Sequence, residues 1–253
     1  MSDYEKLKNQ FNIIAGPCAV ESKEQIEKIA SAVYKSGATV LRGGAFKLRS
    51  DVDSFMGLGK EGIDLLVSAG KSVNLPVLTE VTKISDLEFI EDVDILQIGT
   101  RNMQNYPLIS ETAKTGKIIL LKRGFGCTLK EYLQSVEYIK KNGNNKIILC
   151  ERGIRTFETS LRNTFDVSAI PLLKEKSDFL VYADPSHATG NSRYVKPIAL
   201  SAVAAGCDGV EIEVHNNPSD ALSDKEQALD LREFDTLVKQ MISIRKTVEK
   251  YYE

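Results

Sequence analysis

A thiol, an imidazole and two carboxylates in this chain could do chemistry together. Cys18 stands in IAGPC. His187, one of two histidines among 253 residues, stands in ADPSHATGNS (183–192), directly behind the apolar run FLVY (179–182). Glu213 stands in EIEVH and Asp224 in ALSDKEQ. Thiolate sulfur, imidazole nitrogen and carboxylate oxygen form a donor set suited to a divalent transition ion. The four come from distant stretches, so no local ligand spacing supports the set. Each also has a plain structural reading: a lone Cys is often a small buried hydrophobe, and a His behind a strand is often an ordinary loop residue. His215 is a competing ligand. Asn216, Asn217 and Pro218 after it read as a turn, which ranks it as a supporting or structural residue.

A second group is cationic. Arg42, Lys47, Arg49, Arg101, Lys122, Arg123, Arg152 and Arg155 fall near the ends of apolar runs in a chain of formal net charge −2. Cations facing one cavity repel unless an anion lies between them, and guanidinium forks match phosphate and carboxylate oxygens. The group therefore points to one or two phosphorylated substrates. Arg123 follows Lys122 directly, so strand alternation turns it to the opposite face. A lone Arg after a strand is more often a solvated loop charge; only convergence on one rim changes that reading. Glu80, near the end of PVLTEV, is a further candidate acid.

Eight apolar runs position these residues: 12–18, 39–46, 76–81, 95–100, 118–124, 146–153, 179–187 and 209–215. Most are continuous and rich in Ile, Val and Leu, as strands covered on both faces must be. Helical patterns alternate with them. Ser22 and Gln25 have capping-box spacing ahead of a helix that ends at Gly37, with Ile26, Ile29, Ala30, Val33 and Tyr34 on one face. Thr128, Glu131 and Gly143 repeat the design. RYVKPIALSAVAAG and a segment from about Lys225 to Glu249 also read as helices; those after the third, fourth and sixth runs are less well marked. Eight β-then-α units predict a single α/β domain, a (β/α)8 TIM barrel over residues 1–253, with 1–11 a short N-terminal extension that closes the barrel bottom. An open doubly wound sheet is the alternative. In a barrel the candidates meet at the C-terminal ends of the strands.

The totals exclude other classes. Near-neutral charge argues against a nucleic-acid partner and against a polybasic membrane contact. No apolar run approaches the ~20 residues of a membrane span, and MSDYEKLKNQ holds no signal peptide. Four scattered cysteines without a CxxC pair read as reduced thiols, hence a cytoplasmic location.

IAGPCAVES, LRGGAFK, GTRNMQN, LLKRGF, ILCERGIRTFE, DPSHATG and the EVH…ALSD pairing resemble the 3-deoxy-D-arabino-heptulosonate 7-phosphate (DAHP) synthases, type I-beta branch, over about Asn12 to Leu229. IAGPC and EVH…ALSD are shared with the related 3-deoxy-octulosonate 8-phosphate synthases; ILCERGIRTFE with GTRNMQN is specific to the heptulosonate enzymes. The resemblance implies a barrel transferase that opens the shikimate pathway to aromatic amino acids, condensing phosphoenolpyruvate with erythrose 4-phosphate and releasing inorganic phosphate. It implies Cys18, His187, Glu213 and Asp224 as ligands of a divalent metal ion, Mn2+ or Fe2+ first, with Co2+, Zn2+ or Cu2+ as further candidates. Arg101, Lys122 and Arg152, with Arg42 and Lys47 nearby, would hold phosphoenolpyruvate. Arg49 and Ser50 would hold the phosphate of erythrose 4-phosphate. Lys47 would donate to the new alkoxide and Glu80 would orient water. The family suggests a homodimer or homotetramer.

One departure concerns the second βα loop, where the family usually reads Lys-Pro-Arg-Thr-Ser-Pro-Tyr and this chain reads KLRSDVD (47–53). Ser50 can replace a threonine hydroxyl, but Asp51 and Asp53 add negative charge that should weaken phosphate binding unless they face solvent or pair with a cation. Relatives often carry a regulatory or chorismate mutase domain; none is expected within 1–253, and hence no feedback site for aromatic amino acids within these residues. Three rivals stand beside the main reading. One is an octulosonate synthase taking arabinose 5-phosphate. Another is a class I aldolase with Lys122 as Schiff base. The third is a catalytically dead barrel that binds phosphorylated metabolites or a protein.

Overall fold

The computed structural model describes residues 3–48 and 53–252. Eight parallel strands close in chain order: β1 (Asn12–Gly16), β2 (Val40–Arg42), β3 (Val77–Val81), β4 (Ile95–Ile98), β5 (Ile118–Lys122), β6 (Ile147–Glu151), β7 (Leu180–Ala183) and β8 (Gly209–Glu213). β8 returns to β1 in the register Asn12↔Gly209 through Gly16↔Glu213. That pairing closes the ring and excludes the open doubly wound sheet. Around it run α1 (Asp3–Lys8), α2 (Lys23–Ser36), α3 (Lys60–Val73), α4 (Tyr106–Lys114), α5 (Leu129–Lys141), α6 (Ala169–Lys176), α7 (Pro185–Thr189), α8 (Ser192–Ala204) and α9 (Leu231–Tyr252). After β3 a 3-10 segment, Ile84–Phe89, takes the place of an α-helix. Arg49, Ser50 and Asp51 lie outside the described residues.

Local chemistry explains most boundaries. Thr128 and Glu131 form the reciprocal capping box, with Thr128 N–H donating to Glu131 Oε2 (2.8 Å) and Glu131 N–H to Thr128 Oγ1 (3.2 Å). Ser22 caps α2 by accepting from Gln25 N–H (3.1 Å), but the Gln25 side chain accepts from Glu21 rather than Ser22 and reaches inward to His215. Tyr34 falls off the buried face at 52% exposure, unlike Ile26, Ile29, Ala30 and Val33. α9 begins at Leu231, later than the sequence pattern suggests. The residues before it are held at the barrel mouth, where Leu229 bridges Val214.

The period of two along each strand builds the interior in layers. Ile14, Val40, Leu78, Ile95, Ile118, Leu120, Ile148, Cys150, Leu180 and Tyr182 fill the barrel, and Tyr4 and Leu7 of α1 join them from below. The Tyr4 hydroxyl donates to the Ile147 carbonyl (2.7 Å). The alternate residues, such as Leu41, Leu96, Leu121 and Ile212, pack outward against the helices. One step further along the inward row, chemistry replaces carbon: Val40 gives way to Arg42, Leu78 to Glu80, Leu120 to Lys122 and Tyr182 to Asp184.

β1 and β2 approach so closely that only glycine fits at position 16, where a Cβ would lie 2.0 Å from the Arg42 carbonyl oxygen. Gly16→Ala is expected to destabilise the barrel by ~3 kcal/mol or more, because backbone cannot yield as a side chain can. Urea unfolding of the variant measures it.

Candidate active site

His187 reaches the barrel mouth on a helix, not on the strand that the run 179–187 suggests. Pro185 suits the first helical position because it has no N–H to leave unpaired. The Asp184 carboxylate accepts from the His187 N–H (2.9 Å), and Gly190 ends the turn at φ 65. One acid thus both caps α7 and steers its histidine: Asp184 Oδ2 also lies 2.6 Å from His187 Nδ1. A carboxylate on one ring nitrogen leaves the other to face a ligand.

That other nitrogen, Nε2, lies 3.3 Å from Glu213 Oε1 and 4.0 Å from Asp224 Oδ2. Cys18 Sγ donates to Asp224 Oδ2 over 3.2 Å. One donor atom from each of Cys18, His187, Glu213 and Asp224 lies within 4.8 Å of all the others. Ligands bonded to a common ion at ~2.0–2.3 Å stand roughly 3–4 Å apart, so the four fit such an ion. Glu213 Oε1 is buried and makes no hydrogen bond among the described residues, although Arg42 and His187 stand near it, so a lone pair remains for an ion. Burial pushes the Cys18 thiol up to about 12, Glu213 and Asp224 push the same way, and Lys47 opposes them. Burial also works against the charged forms of Glu213 and Asp224, yet His187 above all holds both below the usual carboxylate range.

Beside this cluster, buried charges form a closed circuit. Arg42 Nη1 lies 3.0 Å from Glu211 Oε1 and 3.2 Å from Glu213 Oε1. Lys122 Nζ lies 3.1 Å from Glu211 Oε2 and donates to Asp184 Oδ2 (2.5 Å). Asp184 meets His187, and His187 meets Glu213, which completes the ring. Two of the cations expected to face an anion are therefore already matched. Arg42 lies beneath the cavity rather than on its wall. Lys122 lines it, but burial is outweighed by Asp184 and Glu211, and its ammonium is held above the ordinary lysine range. An ammonium so paired and held charged argues against the Schiff-base reading of Lys122. Arg123 faces outward to Glu151 and Asp166, each at 2.8 Å, as alternation predicts. Arg155 is exposed and stacks on Phe125, its guanidinium carbon 4.4 Å from the ring centre. His215 lies outside the donor cluster, with Nε2 3.1 Å from Gln25 Nε2 and 3.4 Å from Glu21 Oε2.

A cavity of about 220 Å³ opens over the ring, lined among others by Lys47, Glu80, Arg101, Lys122, Arg152 and Arg162. Arg152 is 2% exposed, and its Nε and Nη1 have no hydrogen-bond partner among the described residues. Burial lowers it to about 10. Lys47 donates to Cys18 Sγ (3.0 Å) and to the Cys18 carbonyl (3.1 Å), so it bridges cluster and cavity. A larger recess of about 840 Å³ lies at the opposite end of the barrel, but its lysines are engaged: Lys71 with Asp92 (2.8 Å), Lys117 with the Glu91 and Val93 carbonyls (both 2.7 Å).

Glu80 owes its place to Gly99, where a Cβ would lie 1.9 Å from Glu80 Oε1. Gly99→Ala is expected to displace that carboxylate and lower kcat about tenfold or more with little change in Tm, since a side-chain end can swing away where backbone cannot. Steady-state kinetics beside a melting curve decide it.

Four groups in the site escape a reading of strand ends. Glu211 could have been found, because it sits two residues before Glu213 on the same strand face. Asp184 could have been found as the N-cap that Asp-Pro announces. Arg162 and Gln227 carry no such signal: they lie on irregular segments, away from any strand end.

The chain is similar to known proteins in sequence and in fold. A phospho-2-dehydro-3-deoxyheptonate aldolase of Thermotoga maritima is 47% identical over 232 residues, covering 91% of this chain and 69% of that protein. The crystal structure of a Thermotoga maritima protein described as phospho-2-dehydro-3-deoxyheptonate aldolase (DAHP synthase) superposes with a TM-score of 0.91 at 45% identity, covering 94% of this chain and 70% of that one. A 2-dehydro-3-deoxyphosphooctonate aldolase of Syntrophobacter fumaroxidans is more distant, at 29% identity over 276 residues, covering 100% of this chain and 95% of that protein. A family model described as DAHP synthetase I matches residues 7–250. That span holds every strand of the barrel and all four clustered donors, and the chain belongs to the DAHP synthetase I family.

Proposed function

We propose that the chain condenses phosphoenolpyruvate with erythrose 4-phosphate to give DAHP and inorganic phosphate, the first step of the shikimate pathway. The observation that carries this reading is Arg152, a buried guanidinium with open donors on a cavity whose other walls carry Lys47, Arg101 and Lys122. Such a cation asks for an anion with paired oxygens, which phosphoenolpyruvate supplies twice, as carboxylate and as phosphate.

Cys18, His187, Glu213 and Asp224 would hold a divalent ion, Mn2+ or Fe2+ before Co2+, Zn2+ or Cu2+. When bound, it supplies Lewis-acid polarisation to an aldehyde oxygen. Arg101, Lys122 and Arg152 fix phosphoenolpyruvate and offset its charge, so that C3 faces the aldehyde carbon. Lys47 is held charged by Cys18, Glu80 and Glu213 against the opposing effect of burial. It donates its proton to the alkoxide formed as the new C–C bond closes. Glu80 orients the water that adds at C2, and the hemiketal phosphate then loses phosphate by C–O cleavage. Arg49 and Ser50 hold the aldose phosphate on the strength of the sequence pattern alone. Arg42 acts from below by fixing Glu211 and Glu213. We place the protein in the cytoplasm as a homodimer or homotetramer of single barrels; no described helix is long and apolar enough to cross a membrane.

Phosphate release from phosphoenolpyruvate, measured with each aldose before and after chelation, tests the reading. Release is expected with erythrose 4-phosphate and is expected to vanish on chelation. Release with arabinose 5-phosphate alone would make the chain an octulosonate synthase. Release with neither aldose would leave a binding protein.

A further inference from the structure

Two residues that no strand end delivers tie the halves of the site together. Gln227 is 2% exposed. Its Nε2 donates to Glu213 Oε2 (2.6 Å), and its Oε1 accepts from Arg162 Nη1 (2.9 Å). One amide therefore spans a candidate ligand of the ion and a guanidinium on the wall of the anion cavity. The chemistry fixes its direction, since only the NH2 end can face a carboxylate and only the carbonyl can face a guanidinium.

Arg162 is also fixed from behind. Its N–H donates to the Thr189 carbonyl (3.2 Å), and the N–H of Asn163 donates to that of Ala188 (2.9 Å). Asn163 Nδ2 donates to the His187 carbonyl (3.0 Å). The segment is thus stitched to α7, the helix that carries His187. Gly190 gives the side chain room: a Cβ there would lie 2.7 Å from Arg162 Cβ and 3.0 Å from its Cδ. Asp224 Oδ1 forms a loose ion pair with Nη1 at 3.7 Å, beyond hydrogen-bond reach, which leaves the fork able to take an anion. The charge of Arg162 opposes that of Arg152 on the same cavity. Two guanidiniums so placed repel each other, and an anion between them turns the repulsion into attraction.

We propose that Arg162 binds the anionic substrate together with Arg152, and that Gln227 is the positioning residue that holds Arg162 toward the cavity and Glu213 toward the ion at once. The proposal rests on the reading of the cavity as a phosphoenolpyruvate site.

Calorimetric titration tests it on the full chain, with phosphoenolpyruvate added to Mn2+-loaded protein and Mn2+ added to substrate-free protein. The chains compared are wild type, Arg152→Met, Arg162→Met, Arg162→Lys and Gln227→Met. Arg162→Met is expected to weaken phosphoenolpyruvate about 10- to 100-fold, as loss of a charged hydrogen bond does, without weakening Mn2+. Arg162→Lys should recover only part, because it restores charge without the fork. Gln227→Met, which keeps volume but no polar ends, is expected to weaken both ligands, Mn2+ by about tenfold or more. A Gln227→Met chain with lowered Tm but unaltered dissociation constants would show a structural strut and overturn its positioning role. Phosphoenolpyruvate affinity within about twofold of wild type in Arg162→Met, alongside a clear loss in Arg152→Met, would overturn the inference and leave the functional reading standing. Failure of the wild-type chain to bind phosphoenolpyruvate would overturn both.

Discussion

Cys18→Ala is expected to lower phosphate release by on the order of 10³-fold, because Lewis-acid stabilisation is worth several kcal/mol and each ~1.4 kcal/mol is a factor of ten. Metal affinity should fall in parallel. The sulfur is one of four donors in a cluster where Glu213 Oε1 already lacks a hydrogen-bond partner among the described residues, so removing it leaves the remaining acids repelling one another around a weaker site. The fold should survive, since Ala has the smaller side chain and the barrel layer beneath is independent of residue 18. Cys207 provides the contrast. It is also buried, but it packs in the outer layer against the helices. Cys207→Ala is expected to lower Tm and leave metal content unchanged. Metal analysis, kinetics and melting curves on the two variants separate a ligand from a packed thiol.

Arg152→Met should behave in the opposite sense for stability. Truncating a buried charge that a bound anion would match costs about 2–5 kcal/mol of binding, roughly 30- to 4000-fold in the affinity for phosphoenolpyruvate. Without substrate, however, the wild-type guanidinium is buried with Nε and Nη1 unmatched among the described residues. Replacing it with an apolar side chain of similar length is expected to leave Tm unchanged or raise it. The wild-type melting temperature should rise on adding phosphoenolpyruvate and that of the variant should not. A variant that melts lower and still binds the substrate would mean Arg152 is a structural cation.

The barrel was legible because burial on both faces leaves a simple mark: eight apolar runs separated by helical patterns. The boundaries were less so. FLVYADPSH reads as one strand by hydropathy, yet Asp184 and Pro185 start a helix, and that turn brings His187 to the donors. α9 starts late because Gln227 and Leu229 are bound to the barrel mouth, a tertiary constraint that local pattern does not carry. The four donors were legible as a set from their chemistry and their places behind apolar runs, and the resemblance pointed to the same four. The cations were read from the sequence as a group facing anionic substrates, and two of them prove to be paired with buried acids. Charge counting does not reveal that Glu211 and Asp184 match Arg42 and Lys122 from below. Arg162 was missed for the converse reason, since it is brought in by a looping segment rather than by a strand.

One divalent ion, held by Cys18, His187, Glu213 and Asp224, would make this cavity reactive. The direct measurement is a titration of Mn2+ into exhaustively chelated protein, with phosphate release from phosphoenolpyruvate and erythrose 4-phosphate followed beside bound metal. Release should fall to background on chelation and return in proportion to bound metal, saturating at one ion per chain. Undiminished release after chelation, or equal recovery by the Cys18→Ala chain, would contradict the claim.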